Sequence, residues 1–131
     1  MSTLKVGTIQ NTSGGASSTP EQIEQGRTKA WLTLNGIGTI SIDDSFGISS
    51  VSDEGTGKYF VNFSTAFANA NYCHAGFCRE DFSNDARGQT VVVGARTAPT
   101  TGQTRIFSID TNGSANPRDC GQICIMFAGD V

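Results

Sequence analysis

From Ala30 onward the chain alternates. Ala30, Leu32 and Leu34 occupy one face of an extended segment and Trp31, Thr33 and Asn35 the other, a period of two that predicts a strand with one side packed. Asn35-Gly36 reads as a tight hairpin turn, because both residues tolerate positive φ, and Ile40 and Ile42 resume the alternation on a second strand. Phe46, Ile48 and Val51 continue it, Gly55 to Gly57 reverses the chain, and Tyr59, Val61 and Phe63 line one face of the next strand. Downstream, "NYCHAGFC" sets Cys73, Ala75 and Phe77 against His74, Gly76 and Cys78, and "QTVVVGAR" is a short apolar run of high strand propensity. "TRIFSID" and "GQICIMFA" complete the set, with turn chemistry at Asp110 to Gly113 and at Asn116-Pro117. About eight short strands with no helical spacing among them predict an all-β domain over residues 29–131, an antiparallel β-sandwich or jelly-roll-like fold.

Residues 1–28 break this pattern. Leu4, Val6 and Ile9 are the early apolar side chains, and a Gly-Ser-Thr-Pro stretch follows them. "TPEQIEQG" has the makings of one helical turn, with Thr19 as N-cap and Pro20 in first position, but so short a turn is unstable alone. Fixing a backbone residue costs about 1–2 kcal/mol, whereas burying an aliphatic side chain returns roughly 1.5–3 kcal/mol. Three such side chains cannot order the segment by themselves. Residues 1–28 are therefore expected to form an extended N-terminal docking arm, ordered by another protein chain, with Leu4, Val6 and Ile9 as its assembly residues. Leu4 and Val6 share a face and Ile9 lies opposite, so strand addition to a neighbour's sheet edge is the expected mode.

Length and composition narrow the classes. A chain of 131 residues with 37% apolar and 16% charged positions fits one globular β domain, and 16 glycines fit many turns. A net charge of −3 with scattered Lys and Arg supplies no basic stripe for phosphates, so nucleic acid is not an expected partner. No apolar run approaches the roughly 20 residues that span a bilayer, so membrane insertion is not expected. Met1 is not followed by a charged and then apolar signal segment, so the expectation is synthesis in the cytoplasm without the usual kind of export signal.

Chemistry-bearing residues are sparse. Cys73, Cys78, Cys120 and Cys124, with His74 beside the first, admit a structural zinc, a disulfide between the two segments, or buried free thiols. The C-x4-C and C-x3-C spacings are not paired zinc knuckles, and a cytoplasmically assembled protein is normally reduced. Free thiols are the expected state. Asp43-Asp44, Glu80-Asp81 with Asp85, and "DTNG" from Asp110 to Gly113 are carboxylate groups that calcium or acid-base chemistry would need, but none carries a full calcium loop, and solvated turns are the simpler reading. One histidine, no nucleophile elbow, no phosphate loop and no H-E-x-x-H leave catalysis without its usual parts, so no catalytic residue, metal or cofactor is expected. Trp31, Tyr59 and Tyr72 are the aromatics able to stack on a glycan or to pack, and packing, for Trp31 under the arm, is preferred.

One resemblance covers Ser2 to Tyr72. "STLKVGTIQNTSGGASSTPEQIEQGRTKAW" followed by "NGIGTISIDDSFGISSVSDEGTGKYFVNFSTAFANANY" is similar to a module of structural proteins of marine tailed phages, notably tail-fibre and related virion proteins of phages that infect cyanobacteria. The resemblance implies a β-rich virion component, a homotrimer in the fibre setting, whose N-terminal segment ties the β domain to other virion proteins or neighbouring subunits. With Met1 opening the module directly, the expectation is a free-standing subunit, of tail-fibre or appendage type, assembled in the host cytoplasm and located on the virion. A capsid decoration protein (cement or head fibre) is the alternative. A module that touches a host-surface receptor and a glycan-degrading enzyme complete the set.

Overall fold

The structure, a computed structural model, describes residues 2–79, 89–93, 97–111 and 116–131. Strands β1 (Ile9–Gln10) and β2 (Ser17–Ser18) pair with each other, and helix α1 (Pro20–Gly26) follows. The β domain then contains β3 (Ala30–Asn35), β4 (Ser41–Phe46), β5 (Ile48–Asp53), β6 (Lys58–Phe63), β7 (Cys73–Arg79), β8 (Gln89–Val93), β9 (Gln103–Asp110) and β10 (Gln122–Ala128). These eight form one antiparallel ladder in the order β4-β3-β10-β7-β8-β9-β6-β5. The ladder's two edge strands are β4 and β5, and only Gly47 separates them in sequence. A sheet whose opposite edges are joined by one residue must fold over on itself, which gives the sandwich-like all-β fold expected from the alternation.

Each strand turns one face inward. Ala30, Leu32 and Leu34 of β3, Tyr59, Val61 and Phe63 of β6, Ile106 of β9, and Ile123, Ile125 and Phe127 of β10 are all buried. Phe63 and Phe127 come from opposite layers and meet edge to face at 5.0 Å, and Phe67 and Tyr72 from the 64–72 connection join them in one aromatic cluster. In β5 the spacing of Ile48 and Val51 is odd, yet both pack on the core. A β-bulge between Ile48 and Ser50 resets the period, so that Ile48 opposes Phe63 and Val51 opposes Val61.

The first hairpin differs from the expected tight turn at Asn35-Gly36. Asn35 still pairs, with Ser41, its side-chain oxygen accepts from the Ile37 N–H at 3.0 Å, and the left-handed residue is Gly38, at φ 71°. Gly36 is buried instead against the core. A Cβ there would lie 2.3 Å from the Tyr59 hydroxyl and 3.1 Å from the Cys120 carbonyl oxygen, which accepts the Gly36 N–H at 2.8 Å. Glycine at this position serves close approach rather than turn geometry.

Residues 9–26 of the N-terminal segment fold back on themselves rather than running extended. The Ile9–Gln10 and Ser17–Ser18 pair is closed by Asn11 N–H to Ala16 O at 3.0 Å. Helix α1 has the expected start: Thr19 caps it, the Thr19 hydroxyl accepts from Gln22 N–H, and the Gln22 side chain accepts from Thr19 N–H, a reciprocal capping box. At the helix end the Glu24 carboxylate pairs with Arg27 at 2.8 Å and with the ammonium of Lys29. Lys29 is buried and its N–H donates to Phe127 O at 2.9 Å, so the helix is tied to the point where the domain begins.

Candidate functional site

Two apolar surfaces stand out. The first is the outer face of β4-β3-β10-β7. Cross-strand register puts Phe46, Trp31, Met126 and Ala75 in one row across the four strands, and Asp44, Thr33, Cys124 and Phe77 in the next. A polar row of Ser41, Asn35, Gln122 and Arg79 bounds them. Phe77 is 68% exposed, Phe46 59% and Met126 51%. Between Phe77 and Met126 runs a groove of about 220 Å³ lined also by Trp31, Thr33, Ala75 and Cys124. The cause is local: "ICIMF" in β10 places apolar side chains on both faces of a central strand, and only one face can enter the core.

The outer face of the other layer is built differently. Phe60 and Phe107 point outward there, but Arg105 lies over both rings, 5.6 Å and 5.0 Å from their centroids. Ser50, Ser52, Asn62, Gln103 and Lys58 complete a polar surface. Arg105 thus covers its aromatics with a charged side chain that also pairs with Glu54 at 3.9 Å. The aromatics of the first face have no such cover among the described residues.

The second surface is the arm. All of residues 2–17 are exposed, Leu4 at 86%, and helix α1 buries no residue. Leu4, Val6, Ile9 and Ile23 border one shallow cleft with Pro20, flanked by Lys5, Glu21 and Glu24. The assembly residues Leu4, Val6 and Ile9 thus lie near one another, and Ile23, on the helix, extends the same surface. The i,i+3 step from Pro20 to Ile23 was the available signal for it.

The aromatics separate. Tyr59 is fully buried, and its hydroxyl donates to the Asp119 carboxylate at 3.2 Å, which also accepts from Gly57 N–H at 2.7 Å. Tyr72 is buried and donates to Thr100 O and Gln103 O at 3.1 and 3.3 Å. Neither ring is available to stack on a glycan. Trp31 is half-buried on the outer face, opposite Phe46 and Met126 rather than among the cleft-lining residues of the arm.

Burial, with the nearby Asp119 charge second, pushes the Tyr59 phenol above its ordinary value of 10.0, and burial pushes Tyr72 the same way. Below pH about 10 both folded and unfolded chains hold these protons. Above it the unfolded chain releases them first, so the stability carried by the neutral phenols is full below pH 10 and is lost as pH rises further. Tyr59→Phe is expected to reduce this alkaline loss, leaving the part due to Tyr72, when urea midpoints are compared between pH 8 and 11. An identical loss in the variant contradicts the assignment.

None of the four cysteines forms a disulfide: Cys73 is exposed, Cys78 and Cys120 are buried and Cys124 is intermediate. Cys73 and Cys78 lie on opposite faces of β7, and a hydrogen bond with the Cys120 thiol, followed by burial, pushes the Cys78 thiol up. Among the described residues no three His, Cys, Asp or Glu side chains gather as a metal site. Asp43 and Asp44 are exposed on the edge strand β4, and Asp44 accepts from its neighbour Ser45 N–H at 2.8 Å. Asp110 pairs with Arg118 at 3.3 Å, while Glu80, Asp81, Asp85 and the Asn112-Gly113 part of "DTNG" lie outside the described residues. No helix among the described residues is long and apolar enough to cross a membrane. No protein-family model, curated protein or solved structure matches the chain.

Proposed function

We propose that this chain is a structural protein of a tailed-phage virion, a tail-fibre-type or appendage subunit that assembles as a trimer and docks on other virion proteins by residues 1–28. Its place on the particle lets it contribute to host attachment. One observation carries this reading: Leu4, Val6, Ile9 and Ile23 stand exposed on a segment joined to a β domain that already has a full core of its own. The resemblance of residues 2–72 to virion modules supplies the setting. An apolar arm beside a self-sufficient domain is what a chain needs when its missing contacts come from another chain. Backbone hydrogen bonds to a neighbour's sheet edge would supply much of the docking, and burial of each aliphatic side chain roughly 1.5–3 kcal/mol more. A capsid decoration subunit would use the same arm, and the position of the protein in a low-resolution map of the particle distinguishes the two.

The test is an arm deletion that respects the junction. Removing residues 1–18 takes away Leu4, Val6 and Ile9 but keeps the Thr19 cap and the Glu24 partner of the buried Lys29. The truncated chain is expected to stay folded, with a thermal midpoint within about 2–4 °C of the full chain, a shift that corresponds to less than about 1 kcal/mol. It is expected to lose attachment to phage particles assembled without the native protein. Decoration at normal occupancy by the truncated chain overturns the arm's role.

A further inference from the structure

We propose that the outer face of β4-β3-β10-β7 is the surface on which copies of this chain contact one another. This inference deepens the assembly half of the reading above, because it names the surface that holds the copies together. The occupant follows from size and chemistry. A large exposed side chain presents roughly 150–250 Å², so Phe46, Phe77 and Met126, each more than half exposed, offer with Trp31 and Ala75 roughly 400–500 Å² of apolar surface. The largest apolar patch of a soluble chain is typically about 300–600 Å² and is often functional, and this face falls in that range. A standard interface takes about 800 Å² from each partner, of which about 65% is apolar in the core. The face therefore matches the apolar core of one such interface.

Its chemistry excludes the other occupants. A glycan platform sets its hydrogen-bonding groups among the aromatics, whereas here the two rows that hold Trp31, Phe46 and Phe77 are apolar apart from Thr33 and Asp44, and the Ser41, Asn35, Gln122 and Arg79 row lies at their margin. An anionic lipid surface needs basic residues around the patch, and the chain carries a net charge of −3. A partner protein must be equally apolar and equally flat. Within the chain the other outer face fails that description, since Arg105 covers Phe60 and Phe107. The matching surface is the same face on another copy. Around a threefold axis three copies would bring the Phe46–Trp31–Met126 row toward the centre, with the Ser41, Asn35, Gln122 and Arg79 row left at the rim.

Cys124 supplies a reporter that needs no substitution. It lies within the groove, and its thiol is 4.0 Å from the Thr33 hydroxyl on the same face. Sedimentation of the purified full chain between about 1 and 100 µM, with peptide-resolved maleimide labelling at both ends of the range, tests the proposal. The wild-type chain is expected to associate over this range, and Cys124 to label at least tenfold more slowly in the associated form. Phe77→Lys and Met126→Ser, both on exposed positions, are each expected to weaken association at least 100-fold and to make Cys124 labelling independent of concentration. The deletion of residues 1–18 is expected to leave association unchanged. A wild-type chain that stays monomeric at 100 µM overturns the proposal, whether or not it binds neutral phosphatidylcholine vesicles. Association that survives both substitutions, or that the arm deletion abolishes, overturns it too. Because no particle enters the experiment, failure here leaves the docking role of the arm to stand or fall on its own test.

Discussion

Phe127→Ala is expected to cost the β domain about 3–5 kcal/mol, the range for deleting a buried aromatic. Phe127 has no exposed surface, lies on a central strand and meets Phe63 and Tyr72 edge to face at 5.0 and 6.1 Å. The aromatic cluster bridges the two layers, so the cavity cannot close without moving strands. Domains of this size are stable by about 5–15 kcal/mol, so the variant is expected to unfold at a much lower urea concentration with a similar slope. Met126→Ala, one residue away on the opposite face, is the control. At dilute, monomeric concentration it is expected to change stability by no more than about 0.5 kcal/mol. Equal losses from the two variants would mean that the faces of β10 are misassigned.

Gly57→Ala is expected to cost about 3 kcal/mol or more, a loss of about 10 °C or more in thermal midpoint. Gly57 sits at φ 63°, and a Cβ there would lie 2.3 Å from Arg118 N, 2.7 Å from Ser108 O and 2.8 Å from Arg118 O. All three are backbone atoms held by their own ladder and loop hydrogen bonds, including Arg118 N–H to Ser108 O at 2.9 Å, and cannot swing aside. Gly55 in the same turn, at φ 103°, has nothing within 4 Å of such an atom. Gly55→Ala therefore isolates the conformational part, about 1–2 kcal/mol. Equal midpoints for the two variants would remove the steric argument.

The strands were legible because alternation records burial directly. Ala30-Leu32-Leu34 and Tyr59-Val61-Phe63 carry apolar residues at every second position, and both triplets are buried. The side chosen was not legible where both faces are apolar. In β7 the sequence sets Phe77 against Cys78, and the core takes the cysteine while the phenylalanine faces out. That choice is made by register with β10, where Cys78 opposes Ile123 and Phe77 opposes Cys124. The apolar outer face was invisible for the same reason, since its four strands come from widely separated segments. The partners of Tyr59 and Tyr72 lie 60 and about 30 residues away, so a period-two reading finds the rings without finding what satisfies their hydroxyls. Helix α1, by contrast, was legible from Thr19-Pro20, because capping is decided by residues three apart.

The position of β10 has a consequence for biosynthesis. It lies between β3 and β7, with Ile125 opposite Leu32 on one side and Gly76 on the other. Translation at about 5–20 residues per second leaves β3 waiting roughly 5–20 s for that partner. During this interval the ribosome carries a chain whose half-sheet lacks its middle, with two unpaired strand edges and an uncovered apolar interior. Sheet completion therefore has to wait for β10, and pairings between segments so far apart form slowly. A chain released before Gln122 lacks the strand that joins β3 to β7, and would enter the cell as an aggregation-prone fragment rather than as a smaller version of the domain.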